Sequence, residues 1–178
     1  MKKLTIVIAI IIIISCVTKQ EMLIMPKEAI RFRVVANSNS PKDQEVKKHV
    51  VNNLNKNITK LQLVPRDISI SRESIKNSIP LFKQEVETTL NQLNASSEYT
   101  INYGMNYFPE KEYKGIKYEE GEYESLVITL GDGLGENFWC ILFPPLCLLE
   151  AEETEKDEVE YTSFIQEIIN KYLWNKYN

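Results

Sequence analysis

The sequence is poor in the residue types from which most catalytic and metal sites are built. Its 178 residues include one histidine and three cysteines. One histidine cannot supply a histidine-based zinc site, and no four-cysteine or CxxC pattern offers a thiolate site. The histidine, His49, follows Lys48 one residue away from the apolar stripe of a predicted helix. The sequence therefore predicts no catalytic residue, no metal site and no cofactor.

The sequence also lacks an excess of positive charge. Its 21 lysines and arginines are outnumbered by 25 aspartates and glutamates, which gives a formal net charge of -4. Nucleic-acid-binding proteins usually carry a basic footprint, so nucleic acid is not a predicted partner. The carboxylates are concentrated at 114–124 and 150–160, which are predicted to be solvated segments without a general acid–base pair.

One long apolar run is present, at the N-terminus. Two lysines precede a run that extends to Ile14. It is shorter than the roughly 20 residues that cross a bilayer as a helix, and its basic flank is typical of a secretory signal. Residues 1–16 are therefore predicted to be a signal peptide or an N-terminal membrane anchor, with the rest exported. Because Ile13-Ile14-Ser15-Cys16 is similar to a lipobox, lipidation of Cys16 is one outcome; cleavage nearby and retention as an anchor are the others.

Residues 28–178 are predicted to form one domain after a spacer at 17–27. The segment Ile30–Ala36 alternates between apolar residues and arginines, which indicates a strand. Ser40, Pro41 and Asp43 form the capping-box-like start of a helix. The apolar stripe of that helix comprises Val46, Val50, Leu54, Ile58 and Leu61. Its lysines, among them Lys47, Lys48 and Lys56, are expected to face water.

The segment after this helix predicts a turn and a second helix. Ile68 and Ile70 are expected to form a short strand, and the helix is expected to begin near Ser71. Pro80 lies inside the helical pattern. Because proline lacks an N–H group and clashes with the preceding turn, it is expected to kink or split the helix.

Two strands and a terminal helix complete the predicted domain. The strands cover Tyr99–Tyr107 and Ser125–Leu130, and a polar hairpin loop with two glycines separates them. The second strand is continuously apolar, so it is predicted to be central. An acidic linker at 150–160 leads to an amphipathic helix around residues 164–173. The order β-α-α-β-β-α predicts an α/β (α+β) domain of two layers, with helices on one face of a small sheet.

The segment Gly131–Cys147 is unusual because glycines, aromatics and prolines follow one another closely. Its glycine pattern lacks the GxGxxG spacing and the P-loop lysine, so a sharp turn that presents Asn137, Phe138 and Trp139 is predicted. Its large apolar side chains either fold back over the core or remain exposed as a docking patch. Cys140 and Cys147 form either a disulfide, which export permits, or two buried thiols.

Three blocks of sequence resemble the stage II sporulation protein R family. The first runs over 30–44 and contains the motif Ala36-Asn37-Ser38. The second is the strand entry at 121–126, and the third is 131–147 with its specific Trp-Cys and Phe-Pro-Pro-Leu-Cys elements. This chain departs from the family pattern at Arg33, where histidine is usual, and at Asn39, where aspartate is usual. A permanently charged arginine cannot replace a proton-transferring histidine, which weakens a catalytic interpretation.

The resemblance implies an exported signalling protein and not an enzyme. Such a protein is made in the forespore and exported into the space between two membranes. There it triggers a membrane-embedded aspartic protease, the sigma-E factor processing peptidase, to process pro-sigma-E in the mother cell. The candidate residues for contact with that protease are Asn137, Phe138, Trp139, Phe143, Pro144 and Pro145. The alternatives are an exported thiol-dependent hydrolase that uses Cys140 and a lipid-anchored binding module of the envelope.

Overall fold

The computed structural model describes residues 23–62, 67–96, 98–113, 115–147 and 165–171. The helices of this part are α1 (Pro41–Gln62), α2 (Ile68–Gln92) and α3 (165–171). The strands are β1 (Leu23–Ile24), β2 (Ile30–Val35), β3 (Tyr99–Phe108), β4 (Lys111–Tyr113), β5 (Ile116–Tyr118), β6 (Gly121–Leu130) and β7 (Asn137–Phe143). No helix among the described residues has the length and apolar character to span a membrane. Cys16, the predicted signal or anchor at 1–16 and the acidic linker at 150–160 lie outside the described residues.

The main sheet has four strands in the order β3-β6-β2-β7. Strand β6 runs parallel to β2 and antiparallel to β3, while β7 is antiparallel to β2 at the edge of the sheet. The predicted central position of Ser125–Leu130 is therefore confirmed, because this segment lies in β6 between two neighbours. The predicted α/β class is also confirmed.

One face of the main sheet packs against α1 and α2; we call it the core face. Alternate residues of β2 and β6 point to it, as their periodicity of two requires. The buried side chains of this layer include Phe32, Val34, Leu54, Phe82, Val86, Leu126 and Ile128. The apolar stripe predicted for α1 is confirmed at its four positions from Val46 to Ile58, all of which are buried.

The opposite face of the main sheet carries Arg31, Arg33, Phe108, Tyr123 and Trp139, and we call it the arginine face. The alternating pattern of β2 predicted that the two arginines would share a face. Arg31 is only 1% exposed, however, although it lies opposite the helices. The aromatic residues of neighbouring strands cover it, so this part of the arginine face is a second packed layer.

Helix α2 differs from its predicted start and continuity. It begins at Ile68, and the Oδ1 atom of Asp67 caps it by accepting a 2.7 Å hydrogen bond from the Ser69 N–H. The predicted short strand at Ile68 and Ile70 is therefore wrong, because a capped helix start outweighed the strand preference of isoleucine. The helix is also continuous through Pro80, so proline does not split it.

A second sheet, in the order β1-β5-β4, was not predicted. Strands β4 and β5 form a hairpin inside the predicted polar loop, and β1 pairs with β5 in parallel. Leu23 and Ile24, assigned to the spacer from the sequence, form β1. A separate apolar cluster lies here and contains Met25, Ala29, Ile116, Ile141, Leu146, Ile165 and Ile169. Helix α3 contributes Ile165 and Ile169 to this cluster.

The segment after the glycine loop is a strand and not the predicted loop. Strand β7 pairs with the whole length of β2, with an irregularity between Ile30 and Arg31. Phe138, Cys140 and Leu142 pack into or against the cluster of the core face, while Trp139 packs on the arginine face. The aromatic residues had concealed this alternation because large apolar side chains occupy both faces.

Candidate functional site

The glycine loop and the Asn37–Asn39 turn lock together at one end of the main sheet; we call this contact the polar junction. The Asn37 Oδ1 atom accepts from the Asp132 N–H at 3.0 Å, and the Asn39 Oδ1 atom accepts from the Glu136 N–H at 2.7 Å. The Leu134 N–H donates to the Asn37 carbonyl oxygen at 3.0 Å. Two segments about 95 residues apart in sequence are thereby joined, and they are the first and third resemblance blocks.

The glycines of the loop allow it to approach the Asn37–Asn39 turn closely. Gly131 has a φ of +53°, and a Cβ atom there would overlap the Asn37 side chain. A Cβ atom on Gly135 would overlap the Ser38 carbonyl oxygen. Glycine is required at these positions because any larger residue would separate the two segments. The loop is therefore a sharp turn, as the sequence predicted, and Asn137, Phe138 and Trp139 follow it in β7.

Asp43 organises the same junction from the first turn of α1. Its Oδ2 atom accepts from the Ser38 hydroxyl at 2.5 Å and from the Asn37 Nδ2 atom at 3.0 Å. These hydrogen bonds, with the one from Ser38 contributing most, hold the pKa of Asp43 below its ordinary value. Ser40 caps α1 as predicted, because its Oγ atom accepts from the Asp43 N–H at 3.1 Å. Asp43 does not complete the predicted capping box, because the Ser40 N–H donates to the Ser38 Oγ atom at 3.1 Å and not to the Asp43 side chain.

Lys47 corrects the prediction that the lysines of α1 face water. It is 8% exposed, and its Nζ atom donates to the Glu136 carbonyl oxygen at 2.9 Å and to the Gln44 Oε1 atom at 2.6 Å. Burial lowers the pKa of the Lys47 ammonium. The lysine therefore ties α1 to the glycine loop and does not belong to an exposed basic face, whereas Lys48 is exposed as expected.

The arginine face stacks cations on aromatic rings. The Cζ atom of Arg31 lies 3.4 Å from the centre of the Tyr123 ring and 5.1 Å from that of Phe108. The Cζ atom of Arg33 lies 4.7 Å from the Phe108 centre. Trp139 packs edge-to-face on Phe108 with 5.2 Å between ring centres. These distances are within the range of cation–π and aromatic contacts, so the face forms one connected cluster.

The structure divides the candidate contact residues into two groups. Asn137 is exposed, and Phe138, Trp139 and Pro145 are partly buried. Phe143 and Pro144 are buried, so for these two the folding-back alternative describes the structure. Sequence reasoning had assigned Arg31 only to the polar face of a strand, and it had not singled out Lys111, whose Nζ atom lies 4.9 Å from the Trp139 ring centre.

Cys140 and Cys147 form a disulfide, with 5.3 Å between their Cα atoms. The first of the two alternatives from the sequence is therefore confirmed. Both residues are buried, so Cys140 offers no free thiol to a thiol-dependent hydrolase. His49 is exposed on α1, 3.9 Å from a carboxylate oxygen of Glu45. Among the described residues, no group of three or more histidine, cysteine, aspartate or glutamate side chains is placed to hold a metal ion.

Comparisons with known proteins agree with these sequence blocks. The family model described as stage II sporulation protein R matches residues 26–153. The stage II sporulation protein R of Bacillus subtilis (strain 168) is 36% identical over 138 residues, which cover 78% of this chain and 62% of that relative. The chain therefore spans less than two thirds of the length of this curated relative. No solved structure matches the chain.

Proposed function

This chain belongs to the stage II sporulation protein R family, and we propose that it is an exported sporulation signal that acts by binding. It is made in the forespore and reaches the space between the two membranes. There it triggers the membrane-embedded sigma-E factor processing peptidase, which processes pro-sigma-E in the mother cell. Its own domain performs no cleavage, and the chemistry belongs to the aspartic protease.

The match to the family model is the observation that carries the proposal. It spans residues 26–153, which contain the main sheet, the β4–β5 hairpin, the two long helices and the disulfide. A disulfide is consistent with a location outside the cytoplasm, where the redox environment preserves it. The two lysines and the apolar run at the N-terminus are a second argument for export.

Activation of a protease by binding requires that the signal favours the active state of the enzyme. Only a difference in affinity between the two states can shift their equilibrium. We place the contact on the N-terminal half of β7, where Asn137 is exposed and Trp139 is partly buried. A tryptophan with part of its ring exposed is a common anchor of interface energy. Pro145 lies on the same segment and is also partly exposed.

Substitutions along this segment separate contact from stability. Trp139→Ala is expected to block pro-sigma-E processing while the folded protein remains abundant. Phe143→Ala is expected to cost about 3–5 kcal/mol of unfolding free energy because this side chain is buried, and to deplete the protein. The readouts are a blot for pro-sigma-E in sporulating cells and an immunoblot for the signal itself. Leu134→Ala is the matched control, because this residue is 77% exposed in the nearby glycine loop.

The deletion strain tests the function independently of the surface. Deletion is expected to leave pro-sigma-E unprocessed, and expression of the chain in the forespore is expected to restore processing. Normal processing after deletion would reject the signalling function. Full processing by a normally abundant Trp139→Ala protein would reject only the proposed contact.

A further inference from the structure

A small pocket opens between the main sheet and the β4–β5 hairpin. It has a volume of about 180 Å³. Arg31, Phe108 and Ile141 are buried members of its lining, whereas Lys111 and Tyr113 are exposed. The buried residues therefore form the floor and the exposed ones form the rim. The other lining residues are Tyr118, Asn137, Phe138, Trp139 and Cys140.

The floor holds a cation without a hydrogen-bond acceptor. Arg31 is 1% exposed, and its Nε, Nη1 and Nη2 atoms have no hydrogen-bond partner among the described residues. A guanidinium group carries five N–H donors, and buried donors are almost always paired in folded proteins. Burial also lowers the pKa of Arg31, although the phenols of Tyr123 and Tyr118 partly offset this effect. The Tyr123 phenol can satisfy at most part of this group, so the site lacks an acceptor for the remaining N–H donors.

Stacking on the aromatic rings does not supply that acceptor. The rings of Tyr123 and Phe108 interact with the charge of the guanidinium group across its faces. Its N–H bonds, in contrast, point outward in the plane of the group. Arg33, two residues along the same strand, shows the contrast. It also lies over Phe108, but its Nη1 atom donates to the Tyr107 carbonyl oxygen at 3.3 Å. Arg33 has a backbone acceptor, whereas the nitrogen atoms of Arg31 have no partner of full hydrogen-bonding geometry among the described residues, and it is Arg31 that lines the pocket.

The size and lining of the pocket define the ligand. The volume of about 180 Å³ is below the roughly 300–1,000 Å³ of sites for drug-sized molecules, so it admits a group about as large as one side chain. The described lining contains two cations, Arg31 and Lys111, and no carboxylate. Its walls are aromatic and apolar. An anion with an apolar body satisfies all three properties, because guanidinium binds a carboxylate through two parallel hydrogen bonds.

We propose that this pocket binds a carboxylate on a short apolar or aromatic stem, with Arg31 as its bidentate partner and Lys111 at the entrance. The stem lies between Phe108, Tyr118 and Trp139. Inorganic phosphate fits less well, because it has no apolar body to lie against the aromatic walls of the pocket. This pocket is separate from the polar junction and from the disulfide, which are complete without a ligand.

The direct test is a titration of the full chain, purified in mild detergent with its disulfide formed. The probe is 3-phenylpropionate, and the controls are its neutral amide and inorganic phosphate. We expect the carboxylate to shift the nuclear magnetic resonance signal of the Arg31 Nε–H group and to raise the melting temperature. We expect neither control to do so. An unchanged Arg31 signal with the carboxylate at its solubility limit would overturn the proposal.

Variants distinguish the pocket from nonspecific binding. Arg31→Met is expected to weaken 3-phenylpropionate binding roughly 10- to 100-fold, the loss of a charged hydrogen-bonded pair. Without ligand, Arg31→Met is also expected to melt at a higher temperature than the wild type, because it removes an uncompensated buried charge. Arg33→Met is the matched control and is expected to bind as the wild type does. Equal binding by the wild type and Arg31→Met would contradict the assignment.

A second variant covers the case in which Arg31→Met does not fold. Lys111→Met lies at the exposed rim, so it is expected to fold and to bind the carboxylate several-fold more weakly. Unaltered binding by Lys111→Met, together with an unshifted Arg31 signal, would exclude the site. N-acetylphenylalanine and N-acetylglutamate α-methylamide then separate the sources, since one presents a chain terminus and the other a side chain. Binding of either supports a polypeptide carboxylate, whereas a site that accepts only 3-phenylpropionate favours a free small acid.

Discussion

The two faces of the main sheet are packed by different means. On the core face, apolar side chains from β2 and β6 interlock with α1 and α2, and the layer includes residues with no exposed surface. On the arginine face, the buried positions include a cation stacked between aromatic rings. Apolar burial stabilises without regard to direction, whereas a buried guanidinium group requires acceptors in defined positions. The core face therefore stabilises the fold by apolar packing, whereas the arginine face also buries a group that needs a hydrogen-bond acceptor.

This difference supports the proposed contact surface. A residue such as Phe82 would lose packing if it were exposed to a partner. Trp139 and Lys111 already have part of their surface in contact with solvent, so a partner can reach them without unfolding. Strand β7 contributes to both faces by alternation, which places the disulfide at Cys140 next to the contact candidate Trp139.

The largest expected effect is on the core face. Phe82→Ala is expected to lower the unfolding free energy by about 3–5 kcal/mol, because the side chain is fully buried between α2 and the sheet. The measurement is chemical denaturation followed by circular dichroism. Leu81→Ala is the matched control on the adjacent residue, which is 45% exposed, and its change should be about 0.5 kcal/mol or less. Equal losses in both variants would show that the core face is not the main apolar layer.

The next effect concerns the disulfide that holds β7. Because Cys140 and Cys147 are separated by seven positions, their bond closes a short loop, and its removal should cost about 2–3 kcal/mol. Reduction of the wild type should lower the denaturation midpoint, and the double variant Cys140→Ala/Cys147→Ala should be insensitive to reductant. Alkylation of both cysteines in unreduced, unfolded protein would show that the bond is absent.

Much of the fold could be predicted because its signals are periodic. The stripe of α1 repeats at helical spacing, and the alternation in β2 repeats every two residues, so both were recognised. Strands β1, β4 and β5 have two or three residues each and are too short to show a period. Strand β7 was missed for a different reason. Large apolar residues lie on both of its faces, and the preceding glycines favoured a loop.

The candidate site was predictable only in part. The resemblance singled out Asn37, Ser38 and the glycine loop, but nothing in the sequence showed that they contact each other. Arg31 illustrates the main difficulty. Alternation places it opposite the core face, which is usually the water-facing side of a two-layer domain. Only the β4–β5 hairpin and Phe108, more than 70 residues away in sequence, turn that position into the floor of a pocket.

A smaller effect is expected at the start of α1, one of the two helices that cover the core face. Ser40→Ala removes the acceptor of the Asp43 N–H group and should lower the unfolding free energy by about 0.5–2 kcal/mol. The measurement is the urea denaturation midpoint at neutral pH. Ser69→Ala provides a comparison, because only its backbone N–H takes part in the cap of α2. An unchanged midpoint for Ser40→Ala would mean that α1 does not depend on this cap.

The smallest effect is a pH dependence that originates at Asp43. Hydrogen bonds from Ser38, Asn37 and Ser40 lower its pKa in the folded protein below the ordinary 3.8. A carboxyl group with a lowered folded pKa contributes stability above its unfolded pKa and loses it as the pH falls through the folded value. The contribution should therefore be fully present at neutral pH and decline only below about pH 3.8.

The variant Ser38→Ala tests this origin, because it removes the largest cause of the shift. The carboxyl resonance of Asp43 should then titrate closer to 3.8, and less stability should be lost on acidification than in the wild type. Glu45→Gln controls for the charge of α1, since it lies on the same helix outside the junction. An Asp43 titration that is unchanged by Ser38→Ala would show that the hydroxyl does not hold the carboxylate. The polar junction would then depend on its hydrogen bonds to backbone groups, and the Asp43 carboxylate would not contribute to the stability of this end of the sheet.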